Sequence, residues 1–493
     1  MGDILNMWSI IFGIFILSVS VFWWQKKKKY HLPNGPLCLP IVGYLPFLGK
    51  EPYKDFENLS KKYGKVFGLY MGPDYTLVLN DYESVKEAYS NNALLDRPND
   101  LFNFNPAPAG FTAANGEEWM EQRRYSMRTL KDIGLSKNPW ETNLEVEIED
   151  FLKLLENKVG NPVDISHELL ASVSNSMTSI VLGKRLMLDD PRRLAVDKGI
   201  EAVIESFGQN SVVTIFPNFM KFICKLGLTR WAQIYRNLEG FCEFFRTAVE
   251  ERKKVFPNQK EDNYIDGYLE EMSKAKGKAT NSYFNDDNLV GSAEAMVMGG
   301  SDTSKNALMW ILLAMVAYPD VQKKIQDEID RELGRDGKLP WMQRSKIPYT
   351  YAATLEVQRW RTTAPLGVFR RANADTKLGE FDIPKGTNVL ANFWLLHNDP
   401  KYWKEPDSFI PDRFLDNEGN LLTLKPESYI PFSIGRRNCP GEFVALIEIF
   451  RYFTAIMQRF HIRPLENTPP ILEGLMKAVY APIPQKFRFI PRE

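Results

Sequence analysis

An uncharged apolar segment near the N-terminus divides this chain into two parts that need different surroundings. Residues 4–24 form a run of 21 positions without a formal charge, rich in Ile, Phe, Val and Trp. A helix of that length spans about 30 Å, the thickness of the hydrocarbon core of a bilayer. Lysines occupy residues 26–29, and the positive-inside rule places them on the cytosolic side. A cleaved signal peptide is the alternative, but no small-residue cleavage site precedes the lysines. We predict a retained single-pass transmembrane anchor at residues 1–25.

The rest of the chain is interpreted as a short hinge followed by one large soluble domain. Prolines recur in the basic segment at residues 26–43, where they block helix formation and stiffen the chain. We assign residues 44–493 to a single domain, because 44% hydrophobic and 25% charged residues are ordinary for a globular protein and exclude disordered, collagen-like and coiled-coil classes. The formal net charge is 0, so no overall field favours a nucleic acid as partner.

Hydrophobic patterning predicts a mainly α fold with small β-sheets (α+β). Strand-like stretches at residues 66–71 and 75–79 flank the turn signal Gly72-Pro73-Asp74 and predict a hairpin. The polar, charge-mixed residues 253–288 predict a surface connection. Apolar residues that recur at every third or fourth position predict helices at residues 55–63, 117–131, 144–158, 194–207, 232–254, 286–317, 320–333 and 349–361.

The arrangement of cysteines and histidines argues against a zinc site and singles out Cys439. The four cysteines form no C-x-x-C pair and the four histidines form no H-E-x-x-H cluster, which are typical zinc-binding patterns. A lone thiolate needs backbone donors and a nearby cation to stabilise its charge. In the sequence Phe-Ser-Ile-Gly-Arg-Arg-Asn-Cys-Pro-Gly at residues 432–441, Gly435 and Gly441 permit backbone conformations in which amides face the sulfur. We expect the remaining cysteines to be inert packing residues: Cys38, Cys224 and Cys242.

The pattern F-x-x-G-x-R-x-C-x-G at residues 432–441 resembles the haem-binding loop of the cytochrome P450 family, in its animal microsomal branch. The resemblance implies the cytochrome P450 fold, with haem b (heme b, iron protoporphyrin IX) between a long distal helix and the cysteine loop. It implies that Cys439 is the metal ligand, whose electron donation favours O–O cleavage. It also implies that other residues of this loop bind the cofactor, with Arg437 beside a haem propionate: Phe432, Gly435, Arg437 and Gly441.

A sequence resembling the family's E-x-x-R motif lies upstream, at Glu356 and Arg359. Alone, such a pair at a spacing of three residues is commonly a surface ion pair on a helix. Arg413, in Pro-Asp-Arg-Phe, resembles the arginine that completes a buried charge cluster in the family. The resemblance gives this cluster a role in folding and haem retention rather than in catalysis.

Two glycines and four polar residues interrupt the apolar pattern of the predicted helix at residues 286–317. Gly299-Gly300-Ser301-Asp302-Thr303-Ser304 weakens helicity, because each glycine costs about 1 kcal/mol, and such a local violation often marks a functional site. In the family this is the distal helix: the glycines leave room for dioxygen, and Asp302 and Thr303 are the catalytic residues that deliver protons. A kink or a helix cap is the alternative.

Two further positions resemble haem-propionate ligands of the family. Trp119 and Arg123 lie one helical turn apart on one face and are similar to its W-x-x-x-R motif. Arg370 aligns with a position that binds the other propionate, although Phe369 replaces the proline common there. His397 matches another landmark of the family, where we expect a structural histidine.

Basic side chains on the Trp119 helix form a candidate docking surface for an electron donor. Arg124, Arg128 and Lys131 recur with helical spacing, and together with Arg436 they would attract an acidic partner. A solvated charged face explains the same residues equally well.

The resemblance implies a monooxygenase that inserts one atom of dioxygen into a lipophilic organic substrate, a steroid, fatty acid or xenobiotic. Electrons would come from NADPH through NADPH–cytochrome P450 reductase, with cytochrome b5 as an additional donor, and the catalytic domain would face the cytosol from the endoplasmic reticulum membrane. Two alternatives stay open: a haem-thiolate enzyme that isomerises or dehydrates peroxides, whose relatives tend to lose the Asp-Thr pair, and a haem-binding membrane protein without turnover. The framework itself does not select one substrate.

Overall fold

The computed structural model of this chain describes residues 30–98, 105–132, 140–187, 190–208, 217–227, 229–276, 282–335, 337–465 and 468–492. The predicted membrane anchor and the lysines at residues 26–29 lie outside these residues. Within them, no helix is both long enough and apolar enough to cross a membrane.

The described part of the chain is mainly helical with short strands, as predicted. The helices are α1 Pro52–Tyr63, α2 Tyr82–Ser90, α3 Gly110–Ala113, α4 Gly116–Asp132, α5 Trp140–Glu156, α6 Ser166–Leu182, α7 Pro191–Gly208, α8 Pro217–Lys225, α9 Arg230–Val255, α10 Tyr264–Lys276, α11 Asp286–Ala317, α12 Pro319–Leu333, α13 Pro348–Trp360, α14 Phe393–Asn398 and α15 Glu442–Arg459. The strands are β1 Val66–Met71, β2 Asp74–Leu79, β3 Arg370–Arg371, β4 Thr376–Leu378, β5 Phe381–Ile383, β6 Asn388–Ala391, β7 Phe460–Arg463, β8 Gly474–Met476, β9 Tyr480–Pro482 and β10 Arg488–Pro491.

The described residues fall into two compact units, of which the first holds most of the sheet. It comprises residues up to 98, residues 365–396 and residues 433–438. Its main sheet has the order β1-β2-β6-β3, with β1 antiparallel to β2 as the predicted hairpin and β2 parallel to β6. Apolar side chains from α1, β1, β2 and β6 form its core, among them Phe56, Phe67, Val78 and Leu390.

The second unit comprises residues 99–364, 397–432 and 439–493 and is built around helix α11. The side chain of Asn285 caps this helix by accepting the N–H of Asn288 at 2.8 Å, and the helix ends at Ala317, two residues before Pro319, where proline disfavours helical geometry in the residue before it. Helices α6, α9 and α15 pack against α11. Such a helix is buried on almost every side, and only a narrow stripe of it stays accessible.

Several parts of the sequence prediction differ from the structure, since the predicted helices did not include α2, α3, α6, α8, α10, α14 or α15. The stretch 253–288 is not a plain surface connection, because it contains α10 with Tyr264, Ile265 and Tyr268 buried. These apolar residues share one helix face, but the charges around them mask the pattern. Helix α6 was not predicted either, since its many serines and threonines are buried and leave no polar stripe for a periodic pattern to detect.

Candidate active site

The thiol of Cys439 lies in a loop that directs backbone donors toward it. The Cys439 N–H donates to the carbonyl of Phe432 at 2.8 Å, which closes the loop ahead of α15. Desolvation raises the pKa of the thiol to about 11, while the N–H groups of Gly441 and Glu442 and the charge of Arg123 act to lower it. The site therefore offers a sulfur with donors that favour a thiolate, and a bound metal cation deprotonates such a thiol.

Helix α4, which belongs to the second unit as Cys439 does, carries Trp119 and Arg123. Trp119 is buried, and desolvation lowers the pKa of the Arg123 guanidinium while the charge of Cys439 raises it. The structure thus brings Arg123 close enough to Cys439 for the two charges to act on each other. A desolvated cation beside the thiol suits the anionic edge of a haem.

The two adjacent glycines of α11 have different surroundings. A Cβ on Gly300 would come within 2.4 Å of the Met177 side chain on α6, whereas a Cβ on Gly299 would meet no neighbouring atom of the described residues within 4 Å. Gly300 is therefore a packing residue, and only Gly299 lies beside open space. Thr303, one turn later on the accessible stripe, donates its hydroxyl to the Gly299 carbonyl at 2.7 Å.

Asp302 and Thr303 have separate partners. The Asp302 carboxylate is buried, lies 3.0 Å from the ammonium of Lys305 and accepts from the Asn306 amide at 2.9 Å. The hydroxyl of Thr303 instead bonds back to the helix. Because neighbouring helical residues project about 100° apart, the two predicted catalytic groups do not act on each other directly in this arrangement.

A short helix, α3, approaches α11 closely and carries an aromatic side chain with it. Gly110 has a φ of 52°, and a Cβ there would lie 2.6 Å from the backbone of Gly291. The N–H of Phe111 donates to the Ser292 hydroxyl at 3.2 Å. The backbone contact needs glycine at both positions, and it holds the buried Phe111 against the helix that bears Thr303.

The second unit has the features that a haem b site requires. It supplies a thiol with converging amide donors, a desolvated guanidinium, and open space beside two glycines, since in the part of the chain that the structure describes a Cβ on Gly441 would also meet no neighbouring atom within 4 Å. Thiolate ligation with nearby donors and a cation is the means by which proteins hold and tune haem iron. The residues present therefore fit the cofactor.

The remaining predicted ligands lie in the first unit. Gly435 has a φ of 76°, and a Cβ there would come within 2.3 Å of the Tyr89 carbonyl oxygen. Arg370 donates to the same carbonyl at 3.2 Å and to that of Ile434 at 2.9 Å, and Arg437 donates to Leu95 at 2.9 Å. Both arginines thus hold the backbone around the loop.

One buried arginine of this unit was missed by the sequence analysis. Arg97 donates to the carbonyls of Val368 and Phe369 at 2.8 and 2.6 Å, directly before Arg370. An arginine between an aspartate and a proline in a mixed polar stretch gives no periodic signal, so only the fold identifies it.

The E-x-x-R pair is buried rather than on the surface. Glu356 accepts two hydrogen bonds of 2.8 Å from Arg359 and one of 3.2 Å from Arg413. His397 accepts the Ile430 N–H at Nε2 and therefore donates from Nδ1 to Thr362 at 2.7 Å. Both hydrogen-bonding atoms of the ring are used inside the protein, as expected of a structural histidine.

The candidate docking residues are only partly available. Arg124, Arg128 and Lys131 are all exposed, but Arg128 also pairs with Glu271 at 3.4 Å and lies over a tyrosine ring. Arg436 lies in the first unit and donates to the side chain of Asn92 at 3.2 Å.

Two buried carboxyl groups were also missed. Desolvation raises the pKa of Glu294 on α11 to about 7 and that of Glu448 on α15 to about 8. The sequence does contain a signal for Glu448, a single acidic residue within Ala-Leu-Ile-Glu-Ile-Phe, because carboxylates are rarely fully buried.

Comparisons with known proteins identify the family. Residues 33–489 match the family model described as Cytochrome P450. Cytochrome P450 2J2 of Homo sapiens is 30% identical, with 98% of this chain and 96% of that protein covered. Cytochrome P450 2D15 of Canis lupus familiaris is 32% identical over 100% of this chain and 99% of its own length, and cytochrome P450 18a1 of Drosophila melanogaster is 30% identical over 98% and 91%. The chain therefore belongs to the cytochrome P450 family of haem-thiolate monooxygenases.

Proposed function

We propose that this chain is a membrane-bound monooxygenase that oxidises a lipophilic substrate, in which the thiolate of Cys439 would hold the iron of haem b. The convergence of the Gly441 and Glu442 amides and the Arg123 charge on the sulfur carries this proposal. These groups stabilise the negative charge that the thiolate keeps when it binds iron. When the cofactor is bound, the Cys439 thiolate would supply the electron density that favours O–O cleavage.

The cofactor, when bound, supplies the redox chemistry that inserts one oxygen atom into the substrate and reduces the other to water. This chain's residues hold it and manage protons. We assign the binding of the haem propionates, and the contacts of the cysteine loop with the haem, to the predicted cofactor-binding residues: Trp119, Arg123, Arg370, Arg437, Phe432, Gly435 and Gly441. Gly299 leaves space beside α11, and its open side supports a role in admitting dioxygen.

Thr303 and Asp302 handle protons in different ways. The Thr303 hydroxyl holds a proton at Oγ1, one turn beyond Gly299 on the accessible stripe of α11, and can turn outward to donate it. Asp302 has to separate from Lys305, 3.0 Å away, before it can exchange a proton. We therefore assign direct donation to Thr303 and resupply to Asp302.

Replacing the proposed ligand is the first test. Cys439→Ser should remove the red-shifted thiolate band from the difference spectrum of the reduced, carbon-monoxide-bound protein. Cys242→Ser, at a buried cysteine of α9, is the matched control and should keep the band. A thiolate band in the Cys439 variant would exclude this ligand assignment.

Proton handling has a separate test. Thr303→Ala should divert electrons from NADPH to hydrogen peroxide, with less product formed per NADPH consumed. Thr247→Ala, at an exposed threonine of α9, should leave the ratio of product to NADPH unchanged. Tight coupling in the Thr303 variant would contradict its role.

We further propose that residues 1–25 anchor the chain in the endoplasmic reticulum membrane, residues 26–43 form a hinge, and residues 44–493 form the cytosolic catalytic domain. The uncharged run and the following lysines support this topology. The sequon at Asn58 should then stay unglycosylated in animal cells. A mass shift on glycosidase treatment would place the domain in the lumen.

NADPH–cytochrome P450 reductase is the proposed electron donor, with cytochrome b5 as a second one. Arg124 and Lys131 are exposed on α4, the helix that also carries Arg123. Their charges support docking of an acidic partner surface on this helix. Reversing both charges to Glu should slow reduction by the reductase and flatten its salt dependence, while Lys323→Glu on α12 should do neither. Equal effects of the two variants on the reduction rate would exclude Arg124 and Lys131 as the docking surface.

A further inference from the structure

Glu448 is a carboxyl group enclosed by three helices of the second unit. It lies on α15 with no exposed surface, and among the described residues neither carboxyl oxygen has a hydrogen-bond partner. Desolvation raises its pKa to about 8, while the hydroxyls of Ser304 and Ser176 act to lower it. At neutral pH this residue is therefore mainly a neutral acid that carries a proton.

The two serines complete a buried polar cluster with Glu448. Ser304 belongs to α11 and Ser176 to α6, and both hydroxyls are buried without a hydrogen-bond partner among the described residues. Four unsatisfied oxygens from three helices in one place are unusual, because buried polar groups are normally paired with protein or with ordered water. One bridging water would satisfy all of them and would connect the acid to α11.

The cluster continues toward the surface as a polar seam. One turn away, Tyr452 of α15 and Ser172 of α6 share a hydrogen bond of 2.7 Å. The charge of Glu147 on α5 acts on both Glu448 and Tyr452. Polar side chains therefore extend from the interior of the helical unit to α5.

Charged groups connect the outer end of the seam to solvent. Glu147 accepts from Asn175 and from Arg185, each at 2.8 Å, and lies 3.7 Å from Arg193. Arg185 in turn pairs with Asp150, whose side chain is 44% exposed. This end of the seam can exchange protons with bulk water.

We propose that Glu448 is a proton-relay residue of this monooxygenase, passing a proton through Ser304 to the segment of α11 that bears Thr303 and regaining one from solvent past Glu147. The step is balanced: the carboxylic O–H of Glu448 breaks and its proton passes through a bridging water to the Ser304 oxygen, while the Ser304 O–H breaks and releases its own proton to a water beside Thr303. A proton taken up from bulk solvent then restores the carboxylic acid of Glu448. The protons come from solvent and meet the demand created when dioxygen is reduced to water. The proposal rests on the proposed function.

Glu448→Gln separates a relay from a structural role. Glutamine has nearly the same shape and, like the neutral acid, a carbonyl acceptor beside a donor group, but its amide N–H groups cannot release a proton at neutral pH. We expect an unchanged thiolate spectrum, more hydrogen peroxide, and a fall in product per NADPH of about tenfold or more, since a positioned acid contributes 10²–10⁴-fold. Coupling equal to that of the unmodified enzyme would overturn the relay.

Serine variants test the same path without altering the carboxyl. Ser304→Ala should uncouple the enzyme as Glu448→Gln does, and this variant carries the test if the glutamine variant fails to fold. Ser174→Ala is the matched control, because Ser174 lies on α6 but bonds to Asp197 at 3.1 Å, outside the seam. Equal coupling in the two serine variants would refute the path.

Infrared spectroscopy gives a readout independent of turnover. The difference between the full-length protein and its Glu448→Gln variant should contain the C=O band of a protonated carboxylic acid at neutral pH, and the band should disappear as pH rises through about 8. Absence of the band at neutral pH would show that Glu448 is ionised and cannot donate. Failure of the proposed function would look different: the unmodified protein itself would lack the thiolate band and NADPH-dependent product.

Discussion

Replacing the buried carboxylate Glu356 should cost this protein a large part of its stability. One oxygen of Glu356 accepts from Arg359 at 2.8 Å, Arg413 at 3.2 Å and the Ile410 N–H at 3.0 Å, and the other accepts from Arg359 at 2.8 Å. Glutamine keeps the shape but presents an amide donor to a guanidinium donor and leaves two cations uncompensated. Breaking a buried pair in this way costs about 3–5 kcal/mol, a substantial share of the roughly 5–15 kcal/mol that holds a protein folded.

The measurement is the free energy of unfolding from urea titration, followed by circular dichroism, together with haem content after purification. Asp327→Asn is the matched control, because Lys323 and Asp327 also form a helical ion pair but are 73% and 58% exposed. An exposed pair contributes about 0–1 kcal/mol, so the control should be almost neutral. If Glu356→Gln does not fold, Arg413→Lys, which removes one hydrogen bond to Glu356, should cost about 1.5–3 kcal/mol. A loss below about 1 kcal/mol for Glu356→Gln would refute the argument that this cluster stabilises the fold.

Three further results are expected. Gly291→Ala should destabilise the protein by about 2 kcal/mol or more, because the new Cβ would lie 2.3 Å from the Pro108 carbonyl oxygen; denaturant titration measures it. Gly435→Ala should reduce haem retention, since its Cβ would lie 2.3 Å from the Tyr89 carbonyl oxygen at a positive φ. His397, whose pKa burial lowers to about 3, binds fewer protons folded than unfolded, so stability should fall as pH drops from about 6.5 toward 3.

Matched glycines control the two backbone predictions. A Cβ on Gly240 of α9 would meet no atom of the described residues within 4 Å, so Gly240→Ala should stabilise the helix by up to about 1 kcal/mol. Gly419 has a φ of 84° and likewise no such neighbour among the described residues, so Gly419→Ala reports backbone strain without collision. Equal losses of stability for Gly291→Ala and Gly240→Ala would contradict the close approach at Gly291. Equal losses of haem for Gly435→Ala and Gly419→Ala would contradict the close approach at Gly435. The linkage would be contradicted by a free energy of unfolding that stays constant in acid in the unmodified protein. A pH dependence that is no weaker in His397→Gln would contradict it as well.

Local patterns were enough to predict the features whose chemistry lies within a few consecutive residues. The hairpin at residues 66–79 follows from alternation and a turn, and the bounds of α11 follow from its cap, its apolar content and Pro319. The Cys439 loop was recognisable because glycines, an arginine and a cysteine occur at set spacings. These features depend on backbone preference and on neighbours along the chain, which a sequence states directly.

The tertiary structure decided which of these groups meet and in what electrostatic environment. Nothing in the order of residues says that Gly300 admits Met177 while Gly299 stays open, or that Asp302 pairs with Lys305 instead of facing Thr303. The state of Glu448 is the strongest example, because its proton affinity is raised by burial among α6, α11 and α15, whose residues lie far apart in sequence. Desolvation depends on everything packed around a group, and that packing exists only once the chain has folded.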